Sequence, residues 1–68
     1  MNGSVLWYDI KKGFGSIMGA DGNKYFVHKS SLPFWTLFLK ADDLVEFFIE
    51  DNKKGPVAKD IKIIGNIL

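Results

Sequence analysis

The sequence has no cysteine, no arginine and only one histidine among its 68 residues. Without cysteine there is neither a disulfide nor a thiolate metal site, so a short chain has to be held by its core alone. That is demanding, because a domain of this size buries only about 60% of the surface its unfolded chain exposes. Without arginine, the bidentate guanidinium contact to guanine that dominates duplex DNA reading is missing. Charge of one sign is also scarce: nine lysines against eight acids leave a net charge of +1. A protein built to clamp phosphates carries a strongly basic balance, and this one does not. Long apolar runs are absent too. Residues Leu32 to Leu39, interrupted by Pro33 and Thr36, fall far short of the ~20 residues a spanning helix needs. The start of the chain has no continuous apolar stretch and holds five glycines up to Gly22, unlike a signal peptide. The expectation is a soluble, cytoplasmic, monomeric protein with no membrane partner. One histidine with no cysteine beside it supplies neither a metal site nor a catalytic set. Ser30 and Ser31 follow His28 two and three residues on, which is read as leaving no hydroxyl oriented against its ring. No cofactor, no small-molecule substrate and no enzymatic activity are expected.

What the sequence does have is aromatic: six Phe, two Trp and two Tyr within a composition that is 47% hydrophobic. Its periodicity is that of strands. Residues 4–8 are short, β-branched and aromatic, and Gly13 to Met18 and Tyr25 to His28 alternate. Residues 44–50 set Val45, Phe47 and Ile49 on one face and Glu46, Phe48 and Glu50 on the other. Residues 60–63 alternate again. Turn signals fall at Asp21-Gly22-Asn23 and over Asp51 to Pro56. One long connection, Ser30 to Asp43, has room for a turn of helix or 3₁₀ within Pro33 to Leu39. Five short strands with regular turns predict an all-β fold. At this length a closed barrel is economical because it removes exposed edges. A five-stranded antiparallel Greek-key barrel of the OB type, one domain over residues 1–68, is the predicted architecture.

The stretch KKGFGSIMGADGNKYFVHKSS, Lys11 to Ser31, carries the functional signal. If Ile17 and Val27 face inward, Phe14, Phe26 and His28 face outward on adjacent strands. The opposite parity would bury the two Phe rings at the expense of Ile17, Val27 and the glycines. Outward rings on a rigid sheet are what stacking on successive bases requires, each stack contributing ~1–3 kcal/mol whatever the base. Trp7 joins from strand 1, and Lys12 stands beside Phe14 within reach of a phosphate. The pair Lys53-Lys54 is either a solvated hairpin tip or a second phosphate contact. Trp35 either folds back to cap the core or stays exposed and stacks one further base past His28.

These residues resemble the cold-shock domain of bacterial cold-shock proteins and Y-box proteins. Lys12-Gly13-Phe14-Gly15-Ser16-Ile17 is similar to the family's KGFGFI motif, and Tyr25-Phe26-Val27-His28 to its VFVH motif. Val5-Leu6-Trp7-Tyr8 is similar to the opening V-x-W-F. Asp21-Gly22, Ser30 and Lys54-Gly55-Pro56 fit as well, so the likeness spans nearly the whole chain. The resemblance implies binding of single-stranded RNA and DNA with little sequence demand and an RNA-chaperone activity. It implies stacking roles for Trp7, Phe14, Phe26 and His28 and a backbone role for Lys12. Ser16 departs from the pattern, standing where the family has a second ring, and Phe34-Trp35 is unusual in the long loop. A different class of function on the same barrel is a protein-interaction module, its nucleic-acid face weakened at Ser16 and its partner surface at Phe34, Trp35 and Phe38.

Overall fold

A computed structural model describes residues 1–66; residues 67 and 68 of the expected domain lie outside the described residues. Five strands follow in order: β1 Asn2–Asp9, β2 Phe14–Gly19, β3 Lys24–His28, β4 Asp43–Asn52 and β5 Gly55–Asn66. They close into a barrel in the order β1-β2-β3-β5-β4. The first three strands form an antiparallel meander, and β4 returns to pair antiparallel with β1. One ladder differs in direction: β5 runs parallel to β3 through Phe26–Val57 and Val27–Ala58.

Alternation decides what is buried. In β2 and β3 every second residue points inward, which buries Gly15, Ile17, Gly19, Tyr25 and Val27. Val5, Val45, Phe47, Ala58 and Ile61 complete the barrel interior, and Leu39 from the long connection closes it. Tyr25 is buried along its ring, but its hydroxyl reaches the β2–β3 turn and donates to the Asp21 carboxylate. That bond, with the Asn23 N–H as a second donor, holds Asp21 below the usual carboxylate range.

Two irregularities set the outer surface. The β1–β2 register shifts between Val5 and Trp7, so Leu6 and Trp7 are both exposed on either side of a bulge. On β5, three steps from Lys59 to Lys62 span the two from Phe48 to Glu46, and Asp60 takes a left-handed φ of 53° there. Beyond this bulge Ala58 is the last buried residue of β5 towards the turn, and past it the β4–β5 hairpin leaves the core. Ile49, on the same strand face as the buried Val45 and Phe47, is exposed, as is Phe48 on the other face.

The turns also differ from expectation in extent. The β4–β5 turn is only Lys53-Lys54, with Asn52 paired to Gly55 and Asp51 to Pro56. The Asn52 side chain accepts the Lys54 N–H at 2.9 Å and fixes that tight geometry. The 3₁₀ turn lies at Lys29–Ser31, not within Pro33 to Leu39. The latter holds a single turn, closed by Thr36 N–H to the Pro33 carbonyl at 2.9 Å, with Phe34 and Trp35 at its two central positions. Among the described residues no helix is long and apolar enough to cross a membrane.

Candidate nucleic-acid interface

Cross-strand register assembles the outer face of β1, β2 and β3 from two rows. One row is Trp7, Ser16 and Phe26; the other is Asp9, Phe14 and His28. Phe14 thus sits diagonally between Trp7 and Phe26. Its ring centroid lies 5.8 Å from that of Trp7, edge-on at 75°, and 5.5 Å from that of Phe26, tilted by 33°. Trp7 and Phe26 remain 47% and 45% exposed, whereas Phe14 is half-buried between them. The result is one continuous apolar surface three rings wide, facing solvent. Ser16 lies within its first row, flanked by Trp7 and Phe26, where a fourth ring would complete it.

His28 ends β3 and caps the 3₁₀ turn. Its Nδ1 accepts the Ser30 N–H at 3.1 Å and lies 2.9 Å from the Ser30 Oγ. The sequence-based expectation that no hydroxyl is oriented against this ring is corrected: residue 30 folds back because the chain enters a 3₁₀ turn at once. With Nδ1 accepting, the neutral ring carries its proton on Nε2. Both contacts fix the ring, so its face is presented in a defined orientation.

Lys12 sits in the β1–β2 turn, which Asp9 organises. The Asp9 carboxylate accepts the Lys12 N–H at 3.0 Å, and its carbonyl accepts the Gly13 N–H at 2.8 Å. Gly13 has φ +74°, a left-handed conformation that favours glycine. The turn leaves Lys12 exposed two residues before Phe14. Lys54, at the far hairpin, shares a cleft of ≈ 430 Å³ with Phe26 and His28, which joins it to the ring surface. Trp35 is not brought among these rings. It is 73% exposed and packs edge-on against Phe34, itself 91% exposed, at 4.9 Å. The loop residues that pack on the core are Leu39, buried, and Leu32, partly buried, not Trp35.

The cleft was not visible in sequence. Its wall includes Glu50, Val57 and Lys59, contributed by the β4–β5 arm. Val57 reaches Phe26 only through the parallel β3–β5 ladder, a pairing that strand alternation does not reveal. The geometry is that of a barrel with a ringed outer face continuing into a charged cleft. The family model of the "Cold-shock" DNA-binding domain matches residues 1–64. The chain belongs to the cold-shock domain family. It is a nucleic-acid-binding family, and the barrel is that family's OB-fold. A cold shock-like protein of Thermotoga maritima is 43% identical over 67 residues, covering 94% of this chain and 98% of the relative. The cold shock-like protein CspC of Escherichia coli K12 is 43% identical over 68 residues, covering 94% and 96%. Cold shock protein 1 of Lactiplantibacillus plantarum is 40% identical over 63 residues, covering 88% and 92%.

Proposed function

We propose that this cold-shock domain binds single-stranded RNA and DNA by stacking bases on Trp7, Phe14, Phe26 and His28, with little demand on sequence, and acts as an RNA chaperone. The observation that carries the reading is the continuous ring surface, with Phe14 in contact with both Trp7 and Phe26. Stacks on the three contiguous rings, Trp7, Phe14 and Phe26, contribute roughly 3–9 kcal/mol before the cost of ordering the strand. Micromolar affinity needs about 8 kcal/mol, which the upper end of this range reaches only before that ordering cost is subtracted. Lys12 and Lys54 take phosphates, and Trp35 takes one further base where the chain leaves His28. A binder of this kind holds unpaired bases without favouring a particular sequence. It competes with base pairing and loosens RNA secondary structure.

The test is tryptophan fluorescence of a Trp35→Phe variant titrated with a short oligothymidine at several salt concentrations. Trp7 is quenched as bases stack on it. With two to four phosphates neutralised, the slope of log affinity against log salt is about −1.5 to −3. A slope near −7, on the order of ten phosphates, would show that charge carries the binding. An unquenched Trp7 with no binding by sedimentation sinks the stacking reading. It would leave the exposed Phe34 and Trp35 as the surface of a protein-interaction module.

Ser16→Phe checks the same face from the opposite direction. A ring between Trp7 and Phe26 completes the row, and affinity for oligothymidine rises by up to ~1–3 kcal/mol. No gain in a correctly folded variant means that bases do not cross the sheet at this row.

A further inference from the structure

The ring surface does not end at β3. The outer row Trp7–Ser16–Phe26 continues through Val57 on β5 to Glu50 on β4. Two strand spacings separate Phe26 from Glu50 along this row, roughly 10 Å between their backbones. The cleft of ≈ 430 Å³ occupies that interval. This volume is within the range of small-ligand pockets, about 300–1,000 Å³. Phe26, Pro56 and Val57 give the cleft apolar surface, and His28 lines it as well. Glu50 and Lys59 bring opposite charges to it, with Lys59 Nζ 3.9 Å from Glu50 Oε1 and both side chains well exposed. That separation is too long for a hydrogen bond, and an exposed ion pair of this kind contributes at most about 1 kcal/mol. Each group therefore keeps its hydrogen-bonding capacity for a ligand.

We propose that the cleft is a guanine-reading subsite, in which one base of the bound strand leaves the ring surface beside Phe26 and presents its Watson–Crick edge to Glu50 and Lys59. The proposal rests on the stacking reading, because the strand that supplies the base is the one held by Phe14 and Phe26. The chemistry selects the base. A carboxylate only accepts hydrogen bonds, through two oxygens side by side; an ammonium only donates. Guanine alone has two neighbouring donors on this edge, N1–H and the N2 amine, followed by an acceptor, O6. Glu50 takes the two donors as a fork, and Lys59 donates to O6. Thymine and uracil offer one donor between two acceptors, so one carboxylate oxygen would face a carbonyl. Adenine and cytosine offer one donor group next to a ring nitrogen that only accepts. Single-stranded bases expose these edges freely, in RNA as in DNA. The cold-shock domain thereby keeps its tolerance along the ring face and gains a preference at one position.

The experiment moves a single guanine through an oligothymidine, and in parallel through an oligouridine, and compares each affinity with the unsubstituted strand. At one position guanine tightens binding by roughly five- to a hundredfold, the worth of one good bidentate pair. Inosine at that position, which lacks the N2 amine, gives back a large part of the gain. Glu50→Gln replaces one acceptor with a donor and collapses the guanine-to-thymine ratio towards one; denaturation confirms that the variant is folded. A ratio near one at every position in the parent protein overturns the subsite, as does a ratio that survives Glu50→Gln or ignores inosine. If the unsubstituted strands bind and Phe14→Ala weakens them, only the subsite has failed. If no strand binds, or Phe14→Ala has no effect, the stacking reading has failed with it. A gain seen in only one of the two series still supports the subsite, and repeating that series in oligodeoxyuridine separates the sugar from the thymine methyl as the cause.

Discussion

Phe14→Ala lowers the affinity for a short oligothymidine by roughly five- to a hundredfold, the equivalent of ~1–3 kcal/mol. The substitution removes one stacking ring and also the ring contacts that Phe14 makes with Trp7 and Phe26, so the loss lies towards the upper end of that range. Phe26→Ala costs binding in the same range but leaves Trp7–Phe14 intact. Their effects on stability separate the two. Phe14 is half-buried, and its removal lowers the denaturation midpoint; Phe26 is 45% exposed, and its removal moves the midpoint little. Trp35→Ala belongs to the same series. It weakens only strands long enough to pass His28 and reach the loop, because its ring contacts Phe34 and none of the face rings. Titration and urea denaturation are measured on each variant. If Phe14→Ala binds as the parent does when corrected for the folded fraction, bases do not lie across β2.

This face was legible in the sequence because β2 and β3 alternate without interruption, so two inward residues, Ile17 and Val27, determine the direction of every neighbour. Leu39 and Trp35 were not separable in the same way. Both are apolar residues in one long connection, and only the closed barrel shows that Leu39 fills its end. The errors fall where alternation breaks. A bulge next to Asp60 interrupts the ladder of the β4–β5 arm just before Ile49, which keeps the parity of Val45 and Phe47 and yet is exposed where the core ends at its partner Ala58. The charged cleft depends on this arm and on the parallel ladder from Val57 to Phe26, both products of long-range register. The Ser30 hydroxyl was missed for a local reason. In an extended chain residues 28 and 30 share a face but stand roughly 7 Å apart, and it is the 3₁₀ turn beginning at Lys29 that shortens this step and brings residue 30 to the ring of residue 28.

Gly15→Ala is the substitution expected to cost the fold most among those on the motif. Gly15 is buried in β2, opposite Tyr8 on β1. A Cβ added there would stand 2.3 Å from the Trp7 carbonyl oxygen and 2.9 Å from the Tyr8 Cα. Both are backbone atoms, so no side-chain rotation relieves the clash, and β1 has to move off β2. Overpacking of this kind costs about 1–3 kcal/mol and at times more. Domains are stable by only about 5–15 kcal/mol, with small ones near the lower end, so the expected result is a large fall in the urea midpoint. The same displacement carries Trp7 away from Phe14, so affinity falls even after correction for the folded fraction. Gly22→Ala is the control. Its φ of +84° makes alanine strained, at roughly 1–2 kcal/mol, but nothing lies within 4 Å of the added Cβ and the turn is remote from the ring face. It loses some stability and no intrinsic affinity. A Gly15→Ala protein with the parent's midpoint would mean that β1 and β2 are not held at this distance, and the close approach that sets Trp7 against Phe14 would have to be abandoned.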